Sequence, residues 1–560
     1  MGKAEDSTDR DNEANEPMAQ WKENEAQDEI SSKKTSERSA ERAFRRRVIL
    51  QTALTYGYLC HGLCTCFSGA ALPDLRVRTN SNWEEISRAV VGRGIGMFFG
   101  AIGGGFLCDR FNGSLLALLA LGPTLEALGS FVIPWCTVWW TLMAMFSIQG
   151  ITEGLLISAA SKLSFQLWGR EAAAPVFATS LAFGLGAIVG PQIIEPFLGT
   201  HSHVLEPQNN NTVTATSLSL AINGSLTHEK GATAYKFAGE SLYAYNQTNS
   251  NTLSNISGSY LVKRIIPNND SQIEYAYTIG GIMSVLAAIA FLVLQYVSNR
   301  CKWNVYGDHT AIPAEPTDKK PKDSGSALQS GKCAKGDTVF GVQLLGLMLF
   351  FYIHIVGGEW ALDKFMFAYI TEGPLHREPF EASLMVSIFW GCYTGGRGIS
   401  ALISKWVKPS FILGTVVLGQ LLAGILLCTE AGNNVSVFWF VNCLYGLAIG
   451  PVYPGALVWV NRYIQVSGMV LAVVLIGGSA GGFIYQWIVG IVFQLYGLDS
   501  LGYVMLVEGI CITTTFVLLE ITGRRHGTRF KKTPGNNNDH GRKGDDPEDV
   551  HVSMLMLSQV

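Results

Sequence analysis

Apolar residues fall in twelve long runs, at about 48–72, 89–108, 114–134, 138–162, 173–198, 274–297, 338–370, 382–404, 410–428, 436–460, 468–494 and 501–522. A helix needs roughly 20 apolar residues to cross a hydrocarbon core about 30 Å thick. So many runs of this length exclude a soluble fold and predict an all-α integral membrane protein. A hydrophilic stretch, 298–337, splits the runs six and six, which predicts two six-helix halves, 48–297 and 338–522. The ends, 1–47 and 523–560, are dominated by polar and charged residues and read as disordered tails, and 298–337 reads as a linker.

Composition adds exclusions. Charged residues make up 15% of the 560, against about 25% in soluble domains, and the net charge of −3 suggests no nucleic-acid partner. Most of the eleven cysteines lie in or beside apolar runs, where Cys behaves as a small hydrophobe. Cys136 and Cys428 are candidates for pairing near one surface. No phosphate-binding G-x-x-x-x-G-K-[ST] loop, metal-ligand spacing or catalytic triad is present, so neither an enzyme nor a resident cofactor is expected.

Charge bias orients the spans. Arg45, Arg46 and Arg47 precede span 1, Lys162 and Arg170 flank the link from span 4 to span 5, and Arg524, Arg525 and Arg529 follow span 12. With twelve spans these share one side with Arg300, Lys302, Lys319 and Lys320 of the linker, which predicts cytosolic termini in a multi-pass plasma-membrane protein. Glycosylation sequons fall on the other side: Asn210, Asn223, Asn246, Asn255 and Asn269 in the polar segment 199–273, and Asn434 between spans 9 and 10. That segment, rich in Asn, Ser and Thr, reads as a glycan-bearing, partly flexible outer loop.

Ionisable groups inside a bilayer need a cavity or a partner. Polar and ionisable residues are enriched in spans 1, 4, 7 and 10, which favours a polar cavity between the halves. His61 is near the middle of span 1, and Gln149 and Glu153 share a face of span 4. Span 7 carries His354, Glu359, Asp363 and Lys364, span 8 carries Trp390 and Arg397, and span 10 carries Tyr453 and Asn461. Trp360, Trp390 and Tyr453 offer aromatic faces. Span 7 is too long for one straight crossing, and Gly357 and Gly358 interrupt it, so a discontinuous helix is expected there. Glu359 and Asp363 are one turn apart and repel, which favours a bound Na+ or H+; Lys364 is the alternative neutraliser.

These residues carry a family likeness. GFLCDR at 105–110 resembles the loop motif of the major facilitator superfamily, with Gly105, Asp109 and Arg110 matching. VGRGIG at 91–96, LWGREAAAP at 167–175, FGLGAIVGP at 183–191, VGGEW at 356–360, SIFWG at 387–391, GRG at 396–398 and LYGLAIGPVYP at 444–454 are similar to the branch containing sodium-dependent glucose transporters and fucose permeases. The likeness covers about 48–522, apart from the outer loop and linker. Three places depart. Asn112, Gly113 and Ser114 do not complete the loop motif, and Asn461 stands in span 10 where an acidic residue is expected. Relatives also carry Asp-Thr-Gly-Gly-Asn in span 4 where this chain has Ile157, Ser158, Ala159, Ala160 and Ser161, with Glu153 one turn earlier.

The resemblance implies the major facilitator fold and alternating access by rocking halves, with Gly105, Asp109 and Arg110 as a cytosolic latch. It implies a small polar solute as cargo, glucose or a related hexose foremost. The implied substrate residues are His61, Gln149, Glu153, Glu359, Trp360, Trp390, Arg397, Tyr453 and Asn461, with Glu359 and Asp363 as ion-coupling residues. Expected partners are the solute and membrane lipid, with the protein a monomer. Two alternatives stay open: a non-transporting sensor on the same fold, and an organic-acid carrier using Arg93 and Arg397.

Overall fold

The structure is a computed structural model that describes residues 9–110, 114–169, 173–199, 201–208, 233–236, 243–246, 260–267, 271–300, 338–404, 406–464 and 468–527. The linker, most of the 199–273 segment and the C-terminal tail lie outside these residues. Residues 1–53 and 54–560 form separate compact units.

Every predicted span coincides with helix. The first half contains α1 (Asp9–Ala70), a short α2 (Leu72–Arg78), α3 (Trp83–Arg110), α4 (Leu115–Val132), α5 (Trp139–Trp168), α6 (Ala173–Ile194) and α7 (Ile273–Arg300). The second contains α8 (Thr338–Thr371), α9 (Pro379–Ile403), α10 (Pro409–Leu426), α11 (Val435–Ile449), α12 (Val452–Asn461), α13 (Gly468–Tyr496) and α14 (Leu501–His526). Hydrocarbon leaves backbone groups no water to bond, so each crossing must satisfy them internally as helix. Among the described residues, ten helices are long and apolar enough to cross a membrane. The other two expected crossings are the end of α1 and α9, whose apolar runs carry His61 and Arg397.

Three expectations change. Helix begins at Asp9, so the tail expected to be disordered over 1–47 is helical from there on. That stretch is rich in Glu, Lys, Arg, Gln and Ala, which are good helix formers, and Arg45 pairs with Glu41 one turn away at 2.7 Å. In the outer segment, β1 (His201–Gln208) pairs antiparallel with β4 (Tyr260–Pro267), and β2 (Thr233–Lys236) with β3 (Tyr243–Asn246). Finally, α8 runs unbroken through Gly357 and Gly358. These glycines permit close packing instead: a Cβ on Gly357 would overlap the Tyr485 ring, and one on Gly358 would lie 2.8 Å from the Glu508 carboxyl carbon.

The break falls in span 10, between α11 and α12, at Gly450 and Pro451. Pro451 and Pro454 lack N–H groups, so the carbonyls one turn earlier, at Leu447 and Gly450, lose their helical donors.

Within the halves α3 packs along α5, α4 along α7, α8 along α13 and α9 along α11; the halves meet where α3 packs on α13 and α6 on α9. Glycine sets the closest approach. Gly92, Gly96, Gly100 and Gly104 recur every four residues on α3, facing α5. A Cβ on Gly96 would overlap the Ser147 carbonyl, and one on Gly150 the Arg93 carbonyl. Small residues at this spacing let helix backbones touch inside a membrane. Gly96→Val should therefore destabilise the bundle by about 1–3 kcal/mol, seen as a lower thermal midpoint in detergent. Gly103→Ala is the control, because a Cβ there meets nothing within 4 Å. Equal midpoints for the two variants would refute this account of the α3–α5 contact.

Candidate functional site

Helices alternate in direction, so one face of the bundle carries the 199–273 segment (the loop face) and the other the 301–337 linker (the linker face). At the loop face the halves touch. Arg76 on α2 donates to Glu372, just past α8, at 2.8 Å, both side chains under a tenth exposed, and its guanidinium lies 4.3 Å from the Trp83 ring centroid. Lys364 Nζ donates to the Thr65 carbonyl at 2.9 Å. Gln192 of α6 donates to Ser387 Oγ of α9 at 3.2 Å, and the Trp83 amide donates to Gln494 Oε1 of α13, also at 3.2 Å.

Towards the linker face the halves enclose a cavity of about 1030 Å³, counting its opening to solvent. Its wall takes Tyr58 and His61 from α1, Met97 from α3, Glu153 to Ser164 positions from α5, and Thr179, Ser180 and Phe183 from α6. The second half adds Val356, Glu359 and Trp360 from α8, Tyr393 and Arg397 from α9, Tyr453 from α12 and Leu475 from α13. Small-molecule sites likewise mix apolar walls with a few fixed polar groups.

Each carboxylate on the wall is matched to a guanidinium. Glu153 Oε2 accepts from Arg93 Nε at 3.1 Å, and Arg93 is only 1% exposed. Glu359 Oε1 accepts from the Tyr393 hydroxyl at 2.9 Å; that hydroxyl in turn accepts from Arg397, which also lies 4.5 Å from the Tyr393 ring centroid. Arg397 Nε donates to the Gly450 carbonyl at 3.0 Å, the acceptor that Pro454 leaves without a helical donor. The broken helix and the Glu359 side chain are thus held by one planar fork.

Of the expected substrate residues, His61, Glu153, Glu359, Trp360, Arg397 and Tyr453 line the cavity. Gln149, Trp390 and Asn461 are buried outside that lining. Trp390 packs edge-on to Phe183, which does line it. Asp363 lies 2.5 Å from Lys364, the alternative neutraliser, while Glu359 bonds Tyr393; the two carboxylates therefore have different partners. Sequence reading did not single out Tyr58, Ser164, Thr179, Ser180 or Phe183, because hydroxyls and aromatics in apolar runs carry no distinctive spacing.

Of the latch residues, Gly105 and Arg110 end α3, where Lys162 donates to the Cys108 carbonyl at 2.8 Å; the Asp109 side chain lies outside the described residues. Asn434 is exposed, and its Oδ1 caps α11 by accepting from the Ser436 amide at 2.9 Å. Asn210, Asn223, Asn255 and Asn269 lie outside the described residues, as does the side chain of Asn246 at the end of β3. Cys136 and Cys428 are both free thiols.

Among the described residues, ten helices long and apolar enough to cross a membrane, packed around a polar cavity, mark a multi-pass membrane protein, and the proteins it is similar to are transporters rather than enzymes. The Major Facilitator Superfamily model matches residues 250–486. Major facilitator superfamily domain-containing protein 4A of Danio rerio is 26% identical over 512 residues, covering 87% of this chain and 90% of its own. Sodium-dependent glucose transporter 1 of Homo sapiens is 24% identical over 443 residues, covering 79% of this chain and 73% of its own. Among solved structures, a D-xylose-proton symporter matches with a TM-score of 0.54 at 13% identity, covering 84% of this chain and 97% of its own. A nucleoside transporter (D323A mutant) matches with the same TM-score and identity, covering 85% and 99%. The chain is thus similar to members of the major facilitator superfamily, as its motifs led us to expect.

Proposed function

We propose that this protein is a secondary transporter that moves a neutral polyhydroxylated solute, a hexose in the first instance, by alternating access. One observation carries the reading: the carboxylates on the cavity wall, Glu153 and Glu359, are each matched to an arginine from a neighbouring helix. A site whose own charges balance suits a neutral solute. An organic acid would have to take Arg93 or Arg397 from a partner it already has, leaving a carboxylate exposed to the anion. The hydroxyls of Ser164, Thr179 and Ser180 can bond sugar hydroxyls, and Phe183, Trp360 and Tyr453 can stack against C–H faces. The names of the glucose-transporter relatives and of the xylose symporter point the same way.

In this reading the loop face is outside, as the sequons and the basic residues around the linker indicate, and both termini are cytosolic. The structure is then the inward-facing state, shut by the contacts around Arg76 and Lys364. Uptake by purified protein in proteoliposomes tests the function. Saturable entry of labelled hexose, competed by unlabelled hexose, is the expected result. Entry of organic acids alone would replace this reading with the anion carrier, and specific binding with no flux would replace it with a sensor.

A further inference from the structure

We propose that the buried pair formed by His61 and Glu126 is a proton-binding site, loaded once per cycle, that couples transport to a proton gradient; this rests on the transporter reading above. His61 Nδ1 lies 3.2 Å from Glu126 Oε2, and the side chains are 4% and 2% exposed. His61 is on the cavity wall, whereas Glu126, on α4, stands behind it, outside the lining. Glu126 Oε1 and His61 Nε2 have no hydrogen-bond partner among the described residues. A buried carboxylate with one neutral neighbour is expensive in a membrane interior, so the pair needs a positive charge that its own helices do not supply.

The surroundings are one positive charge short. Thr65, one turn beyond His61, donates to the His61 carbonyl at 2.7 Å and accepts from Arg93 Nη2 at 2.6 Å. Its own carbonyl accepts from Lys364 of the other half. Arg93 pairs with Glu153 and Lys364 with Asp363. In this connected group Arg93 and Lys364 are the fixed cations, set against Glu126, Glu153 and Asp363. Glu359 does not enter the balance, because it is matched to Arg397 through Tyr393. A proton on His61 makes the group neutral; its departure leaves Glu126 facing a neutral ring.

The remaining neighbours are neutral. On α1 itself, Cys60 and Cys64 are thiols, Cys64 lying against Ser130 of α4 and Ser284 of α7. On α6 the ring facing His61 is Phe183, with centroids 5.8 Å apart. The proton enters from outside, adds to the imidazole ring and leaves to the cytosol, with no bond broken in the protein. Coupling follows from Thr65: the contact that Lys364 makes there is one of those closing the loop face. Opening that face carries Lys364 away together with its partner Asp363, so the shortfall of one charge stays with Arg93, Glu126 and Glu153, while the Thr65 carbonyl loses its donor. Through that contact, occupancy of the pair and the conformational state bias each other.

The test uses full-length protein in proteoliposomes carrying an internal pH dye. Hexose counterflow, which needs no gradient, reads the transporter; internal acidification during hexose entry reads the proton. Wild type should admit about one proton per hexose and accumulate hexose when the inside is alkaline. Glu126→Gln should keep counterflow but lose proton entry and gradient-driven accumulation by about tenfold or more. Glu126→Asp should restore part of both. Proton entry in Glu126→Gln equal to wild type, or accumulation that follows Na+ at constant pH, overturns the proposal. Absence of wild-type hexose counterflow would defeat the hexose reading alone. The site is then read without substrate, by ¹⁵N NMR of histidine in nanodiscs. The resonance removed by His61→Gln should respond to pH in wild type and respond differently in Glu126→Gln. A His61 resonance that titrates identically in both proteins would also overturn the proposal.

Discussion

Arg76→Ala should open the loop face of the bundle. In the closed state Arg76 and Glu372 are both under a tenth exposed and 2.8 Å apart, and the guanidinium is also stacked on Trp83. Removing the arginine leaves the Glu372 carboxylate buried without its cation, and breaking a buried pair in this way costs about 3–5 kcal/mol. Once the halves part at this face, both groups meet water, so the open state loses almost nothing. The whole penalty therefore falls on the closed state, a shift of about 10²- to 10⁴-fold in the equilibrium between the two. Spin labels at Trp140 and Asn433, exposed near the loop face on opposite halves, report it as a longer distance in the variant. Exchanging the charges, Arg76→Glu with Glu372→Arg, should recover part of the closed population. An unchanged distance distribution in Arg76→Ala would show that Lys364, Gln192 and the Trp83 amide hold this face without the ion pair.

The crossings were legible because the bilayer imposes a length and an apolar composition that no other requirement mimics. The two runs whose helices fall short of that composition, the end of α1 and α9, carry the cavity residues His61 and Arg397, whereas α5 and α8 meet it despite Glu153 and Glu359. The broken helix was assigned to the wrong span. Gly357 and Gly358 look like a break, but inside a packed bundle a glycine as readily marks close approach, and here Tyr485 and Glu508 fill the space. The two prolines at 451 and 454 were the stronger signal, since each removes a backbone donor whatever surrounds it.

Site residues were legible one at a time but not as pairs. Arg93, Glu153, Glu359 and Arg397 stand out as charges within apolar runs; that each carboxylate has its own arginine depends on helix packing between residues up to 60 positions apart. Arg76 and Glu372 escaped notice because each sits at the edge of a span, where charges are ordinary. Their relation was visible only in that opposite charges end the first span of each half. The Glu359 and Asp363 pairing failed for a simpler reason: spacing places two side chains on one face but does not say which neighbour each one meets.

Arg397→Lys should impair transport nearly as much as Arg397→Gln. The arginine makes two contacts whose directions are fixed by one plane, to the Gly450 carbonyl and to the Tyr393 hydroxyl that holds Glu359. A lysine keeps the positive charge but is a point donor on a flexible stem and cannot hold both. Either variant leaves the Gly450 carbonyl without its donor or the Tyr393 hydroxyl without the cation behind its bond to Glu359, at about 1–3 kcal/mol for each group left unsatisfied. Since about 1.4 kcal/mol is tenfold, kcat/KM for hexose should fall about 10- to 100-fold in Arg397→Lys and about 100-fold in Arg397→Gln. The comparison also separates cargo classes. An anion carrier would use Arg397 for its charge, so lysine would rescue what glutamine loses, and for a neutral solute it would not. Near-wild-type transport by Arg397→Lys would therefore count against both the geometric role of Arg397 and the neutral-solute reading that its pairing supports.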